Sequence, residues 1–89
     1  MPLQKTREFE KDVKRLDKPQ RKRLGECIDD LQAHPGIGKP MEHFHNVVSI
    51  RLSEKRLVYY LKLGDSAILL LLYKNRDEVY EYLKRMELE

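Results

Sequence analysis

Arg56-Leu57-Val58-Tyr59-Tyr60 begins with a cation and runs on as an apolar and aromatic strand, and its flanks decide the fold. Upstream, Val47-Val48-Ser49-Ile50-Arg51-Leu52 is rich in β-branched residues, and Ser53-Glu54-Lys55 joins the two as a short turn. Downstream, the second strand extends to Leu63 and Gly64-Asp65-Ser66 is a second turn. Ala67 to Tyr73 is then a third strand, apolar almost throughout, and is expected to be central and covered on both sides, or at least well buried. Turns this short force neighbouring strands to run antiparallel, so residues 47–73 read as a meander.

The period changes on either side of the meander. After a short, extended start at Leu3 to Lys5, Thr6 is placed to cap a helix whose Phe9, Val13 and Leu16 recur at +4 and +3 on one face. Asp17-Lys18-Pro19 breaks that pattern, because proline fits the first turn of a new helix and not the middle of an old one. Leu24, Cys27, Ile28 and Leu31 form the next apolar stripe, which ends at His34-Pro35-Gly36-Ile37-Gly38-Lys39-Pro40, read as a loop without regular structure. Past the meander, Asp77 is placed to cap a last helix carrying Val79, Leu83 and Met86. The fold class is α+β: an N-terminal helical hairpin on one face of a three- to four-stranded antiparallel meander, followed by a C-terminal helix.

An 89-residue chain, 40% hydrophobic and 37% charged, is read as one folded domain with a modest core. Its longest apolar run is far too short to span a bilayer, and the N-terminus lacks the apolar segment of a secretory signal. Cys27 is the single cysteine, so no internal disulfide and no cysteine-based zinc site can form, and a reducing cytoplasm is the expected setting. The net charge of +3 is unevenly spread: residues 1–23 carry +5, 24–46 carry −3, 47–76 carry +4 and 77–89 carry −3. Two basic segments separated by acidic ones favour an anionic partner, nucleic acid being the commonest.

Several stretches, taken in order, resemble the RelE/ParE toxin superfamily of toxin–antitoxin modules. They are Phe9-Glu10-Lys11-Asp12-Val13-Lys14-Arg15-Leu16, the Pro/Gly loop, Ser49-Ile50-Arg51-Leu52 with Arg56-Leu57-Val58-Tyr59, and Lys74-Asn75-Arg76-Asp77-Glu78-Val79-Tyr80. The last two look most like the RelE branch. That resemblance implies a ribosome-dependent mRNA endonuclease needing no metal or other cofactor, in which the substrate's 2′-hydroxyl attacks the adjacent phosphate. Such a protein must supply positive charge to the transition state and groups that move two protons. By the resemblance, Arg56 clamps the phosphate, Tyr80 stacks on a base or assists proton transfer, and Lys74 and Arg76 belong to the basic run that attracts RNA. Arg51 is a further strand cation for the same surface. Lys14, Arg15, Lys18, Arg21 and Lys22, in the basic Lys11 to Arg23 stretch, would face ribosomal RNA.

This chain departs from the RelE pattern at the strand before the hairpin. RelE carries two lysines there, one a proton acceptor. Aligned without a gap, this chain has Val47 and Ser49, and with a hairpin one residue shorter it has Ser49 and Arg51. A guanidinium is too basic to accept a proton near neutrality. Glu42, His43 and His45 are the alternative source of a proton acceptor, the two histidines sharing a face if their segment is extended. A two-histidine metal site is the rival use, but no third ligand is placed by sequence, and two exposed loop histidines are the plainest reading. Two other functions stay open: a ParE-like topoisomerase inhibitor acting by protein contact, and a catalytically silent relative that binds RNA or antitoxin. The resemblance implies a RelB-like antitoxin as partner in either toxin reading, with the ribosome and mRNA as partners of the nuclease and no membrane.

Overall fold

The computed structural model describes residues 2–62 and 67–86, so Leu63, the Gly64-Asp65-Ser66 turn, the Met86 side chain and Leu88-Glu89 lie outside the described residues. The element order is β1 (Leu3–Lys5), α1 (Arg7–Lys14), α2 (Lys18–Ala33), β2 (Lys39–Pro40), β3 (Val47–Leu52), β4 (Lys55–Lys62), β5 (Ala67–Asn75) and α3 (Arg76–Met86). The α+β class holds, with more strands than expected. The sheet has five strands in the order β1-β5-β4-β3-β2, and β1 runs parallel to β5. The expected meander β3-β4-β5 forms its centre, antiparallel throughout.

Both additional strands are short edge strands. β1 is the extended start of the chain, paired with Ile68 to Leu70. β2 lies inside the stretch read as irregular, where Lys39 pairs with Ser49 and Pro40 with Val48. Pro40 is tolerated because an edge strand leaves one side of its backbone unpaired. Gly38 makes the approach possible. Its φ is +107°, and a β-carbon there would overlap the Ser49 carbonyl oxygen and stand 2.8 Å from Ile50 Cγ1. Two prolines and two glycines therefore end α2 without preventing a two-residue strand beyond it.

The helices cover both faces of the sheet, the helical hairpin one and α3 the other, so β5 is central and buried on both sides, as its apolar run predicts. Phe9, Leu16, Leu24, Cys27 and Leu31 from the α1–α2 region pack with Val48, Leu57, Tyr59, Ile68, Leu70 and Tyr73 on the first face. On the other face, Val79 and Leu83 of α3 join Met41, Val47, Val58, Leu71 and Leu72. A register shift opposite Val58/Tyr59 leaves Leu71 of β5 unpaired between Leu70 and Leu72, so side chains on either side of it change face parity. Alternation sends the leucine run to both cores, and the bulge puts the successive Leu71 and Leu72 on the α3 side together.

Local signals act largely as read. The Thr6 hydroxyl accepts from Phe9 N and donates to Leu71 O, so the cap of α1 also ties it to β5. Asp17 and Gln20 form a reciprocal capping box at α2. Two ends differ. α1 stops at Lys14, and Leu16 reaches the core from the turn beyond it. α3 begins at Arg76, capped by the Asn75 side chain accepting from Glu78 N, which displaces Asp77 from the expected cap to inside the first turn.

Candidate functional site

Strand register aligns three cations across the centre of the sheet. Arg51 of β3 is the partner of Arg56 on β4, and Arg56 is the partner of Lys74 on β5. Paired residues project to the same side, and the alternation from Val58 and Leu72 puts this row on the face that α3 covers. Arg51 is exposed and Arg56 half-buried. Neither forms an ion pair with a carboxylate among the described residues, so Arg56 does not bridge to Glu54. Like charges directly opposite one another destabilise a sheet. An unneutralised Arg51–Arg56 pair thus costs the fold something and leaves positive charge for an external anion.

A cleft of about 250 Å³ opens at this pair, lined by Gly38, Lys39, Ser49, Ile50, Arg51 and Arg56. Lys39 was not among the residues anticipated for this site. It belongs here because β2 places it beside Ser49, on the same face as the two arginines. The only signal in the chain was its isolation as the one Lys or Arg between residues 24 and 46.

Lys74, the third member of the row, has a different environment. Its side chain is 10% exposed, and its ammonium donates to Asp12 Oδ1 at 2.7 Å and to Glu8 Oε2 at 2.8 Å. Burial pulls its proton affinity down, but the hydrogen bonds to Asp12 and Glu8 outweigh that, and its pKa lies above the usual lysine value. Glu8 is held below its usual range, mainly by the hydrogen bond from Lys74. Tyr82 donates to Glu8 Oε1, and Asp12 Oδ2 accepts from Tyr73 N on the open edge of β5. Lys74 thus ties β5, α1 and α3 together, a commitment invisible in a basic run read as RNA-facing. Asp12 signals it only by sitting at +3 from Phe9 on an otherwise apolar face.

The other anticipated residues divide by location. Tyr80 is 39% exposed on α3. In helical projection Val79 and Leu83 face the sheet, Tyr82 flanks them on the side of α1, and Tyr80 lies on the opposite flank. Tyr80 and Arg56 therefore share a face of the sheet. Arg76 is exposed at the first position of α3. Lys14, Arg15, Lys18, Arg21 and Lys22 are all exposed in the α1–α2 layer, on the other face from the cleft. Arg21 there donates to the Val13 and Lys14 carbonyls and so caps the end of α1.

Glu42, His43 and His45 lie in the β2–β3 loop, and the structure does not bring them to the cleft. The segment turns instead of extending, with His43 at φ +70° and Asn46 at φ +61°. Asn46 O accepts from Leu61 N at the far end of β4. Five residue steps along β4 separate Leu61 from Arg56, about 16 Å. No group of three metal-ligating side chains occurs among the described residues.

No family model matches the chain, and no curated protein matches it by sequence. Solved structures do. The isolated E. coli RelE toxin is 24% identical, with a TM-score of 0.75 over 96% of this chain and 97% of that one. The RelBE2 toxin–antitoxin complex of Mycobacterium tuberculosis matches at 22% identity and a TM-score of 0.73, over 84% of this chain and 96% of that one. A YoeB/ParE toxin from Agrobacterium tumefaciens matches at 18% identity and a TM-score of 0.73, over 85% and 99%. The chain has the fold of the RelE/ParE toxin superfamily.

Proposed function

We propose that this chain acts as one domain, the toxin of a toxin–antitoxin module, and cleaves mRNA on the ribosome in the cytoplasm. The observation that carries the reading is the unneutralised Arg51–Arg56 pair, opening on a cleft on the face where Tyr80 also lies. In this reaction the RNA 2′-oxygen bonds to phosphorus while the bond to the 5′-oxygen breaks. The 2′-hydroxyl loses a proton, the departing 5′-oxygen gains one, and the products are a cyclic phosphate and a 5′-hydroxyl. Arg56 is suited to the charge that builds on the non-bridging oxygens, since its planar fork donates two hydrogen bonds to one phosphate. Tyr80 is suited to stacking on an adjacent base. The solved RelBE2 structure is a toxin–antitoxin complex, and a RelB-like antitoxin is the partner assigned to this chain.

A second reading is binding without cleavage, as in a silent relative or a ParE-like inhibitor. It is favoured by the lining of the cleft, which holds cations and a serine but no carboxylate or imidazole among the described residues to accept the 2′-proton. Mapping mRNA 5′ ends on ribosomes programmed with a defined message separates the two. New ends in the A-site codon support the nuclease, and intact message with a blocked ribosome or inhibited topoisomerase supports binding alone.

A further inference from the structure

We infer that Lys39 is a phosphate ligand of the cleft, completing with Arg51 and Arg56 a three-cation cradle for the backbone of a single-stranded polynucleotide. The inference rests on the nucleic-acid reading of the cleft and goes beyond it by adding a residue from a separate, two-residue strand. Lys39 is the sole Lys or Arg among residues 24–46, a stretch of net charge −3, yet it lines the cleft that Arg51 and Arg56 share.

Four contacts fix the loop that carries it. Tyr59 Oη accepts from Gly36 N at 3.1 Å and donates to Ile37 O at 2.7 Å. Gly38 brings the chain against the Ser49 carbonyl at a distance no other residue allows. Met41 N then donates to Val47 O and closes the far end of β2. The backbone is held on both sides of Lys39 while its side chain stays exposed.

The spacing suits one phosphate or two neighbouring ones. Two strand intervals across the sheet and two residues along it put the α-carbons of Lys39 and Arg56 roughly 12 Å apart. Two long side chains reaching inward from that separation can close on a shared anion. Lys39 brings a compact ammonium where Arg56 brings a planar fork, so the two read different oxygens of the backbone.

The test uses the full chain and a fluorescent single-stranded RNA bearing 2′-deoxyribose at every position of the cleavable segment, so that binding is read without reaction. Affinity is measured by anisotropy across a salt series. Lys39→Ala is expected to weaken binding roughly tenfold. The slope of log affinity against log salt should shrink by about 0.7, the value for one fewer phosphate neutralised on a single strand. Lys39→Arg should restore both, which a purely structural role would not. If Lys39→Ala keeps the affinity and slope of the parent while Arg56→Ala loses both, the role of Lys39 is overturned and the cleft reading stands. If Arg56→Ala also binds unchanged, the cleft reading fails and the inference falls with it.

Discussion

Lys74 Nζ lies 2.7 Å from Asp12 Oδ1, both side chains are nine-tenths or more buried, and this contact joins the last strand to the first helix. Asp12 spends its other oxygen on Tyr73 N, so one carboxylate serves both the cation and the open edge of β5. Removing Lys74 leaves that carboxylate buried without its counter-charge. Lys74→Ala is expected to cost about 3–5 kcal/mol, the range for breaking a buried pair from one side. Urea denaturation measures it, and a loss under about 1 kcal/mol, the size of an exposed pair, would show the bridge to be structurally idle.

The same cluster sets a pH dependence. The Glu8 carboxyl titrates below its ordinary value of 4.5 in the folded protein, chiefly through its hydrogen bond from Lys74. A depressed carboxylate stabilises the fold above its unfolded pKa, and the gain disappears as pH falls through the folded value. Lys74 has the opposite sign: its raised pKa stabilises below the ordinary 10.5 and is lost as pH climbs through the folded value. Thermal stability should fall at both extremes of pH. Glu8→Gln should flatten the acid limb, and an unchanged acid limb in that variant would contradict the role given to Glu8.

Gly38 has one permissible identity in this backbone. Gly38→Ala places a methyl against the Ser49 carbonyl at a φ of +107°. Strain of that kind costs about 1–3 kcal/mol, or is relieved by detaching β2. Amide hydrogen exchange at Met41, whose N–H bonds to Val47 O, reports which occurs. Protection equal to the parent's, with no loss of stability, would refute the close approach.

Tyr59 belongs to the RLVY stretch that carries the resemblance to RelE/ParE toxins, yet its ring is fully buried and its hydroxyl serves Gly36 and Ile37. Tyr59→Phe strands a backbone donor and an acceptor at the loop, at a cost of about 1–3 kcal/mol. Denaturant titration tests this, and a neutral substitution would mean that water replaces the hydroxyl there.

The parts of the fold that rest on local chemistry were legible in the chain. β-Branched, aromatic and apolar runs bounded by short turns placed β3, β4 and β5, and the Thr6 and Asp17 caps were readable because a side-chain oxygen before an apolar stripe has few other uses. β2 was not readable, since a two-residue strand has no period and depends on where β3 lies. That β5 would be covered on both sides was readable from its apolar run, but which leucine serves which core was not: a bulge at Leu71 changes face parity inside a run that shows no alternation to interrupt.

The candidate site divided along the same line. Arg51, Arg56 and Tyr80 lie on one face of the sheet, the two arginines because register carries strand residues together. Lys74 shares that row, but its carboxylate partners come from a helix more than sixty residues earlier, and no local pattern announces such a pairing. Glu42, His43 and His45 failed to reach the cleft because their loop closes at the opposite end of β4.

Whether the Arg51–Arg56 cleft acts on RNA is tested most directly by cleavage on programmed ribosomes. The parent protein is expected to generate new mRNA 5′ ends within the A-site codon. Arg56→Ala should cut about 10²- to 10³-fold more slowly, the usual cost of losing one preorganised donor to the transition state, while unfolding at no lower a temperature because it relieves the Arg51–Arg56 repulsion. Equal cleavage by the two proteins, or intact message with the parent, would contradict the proposed role of the cleft.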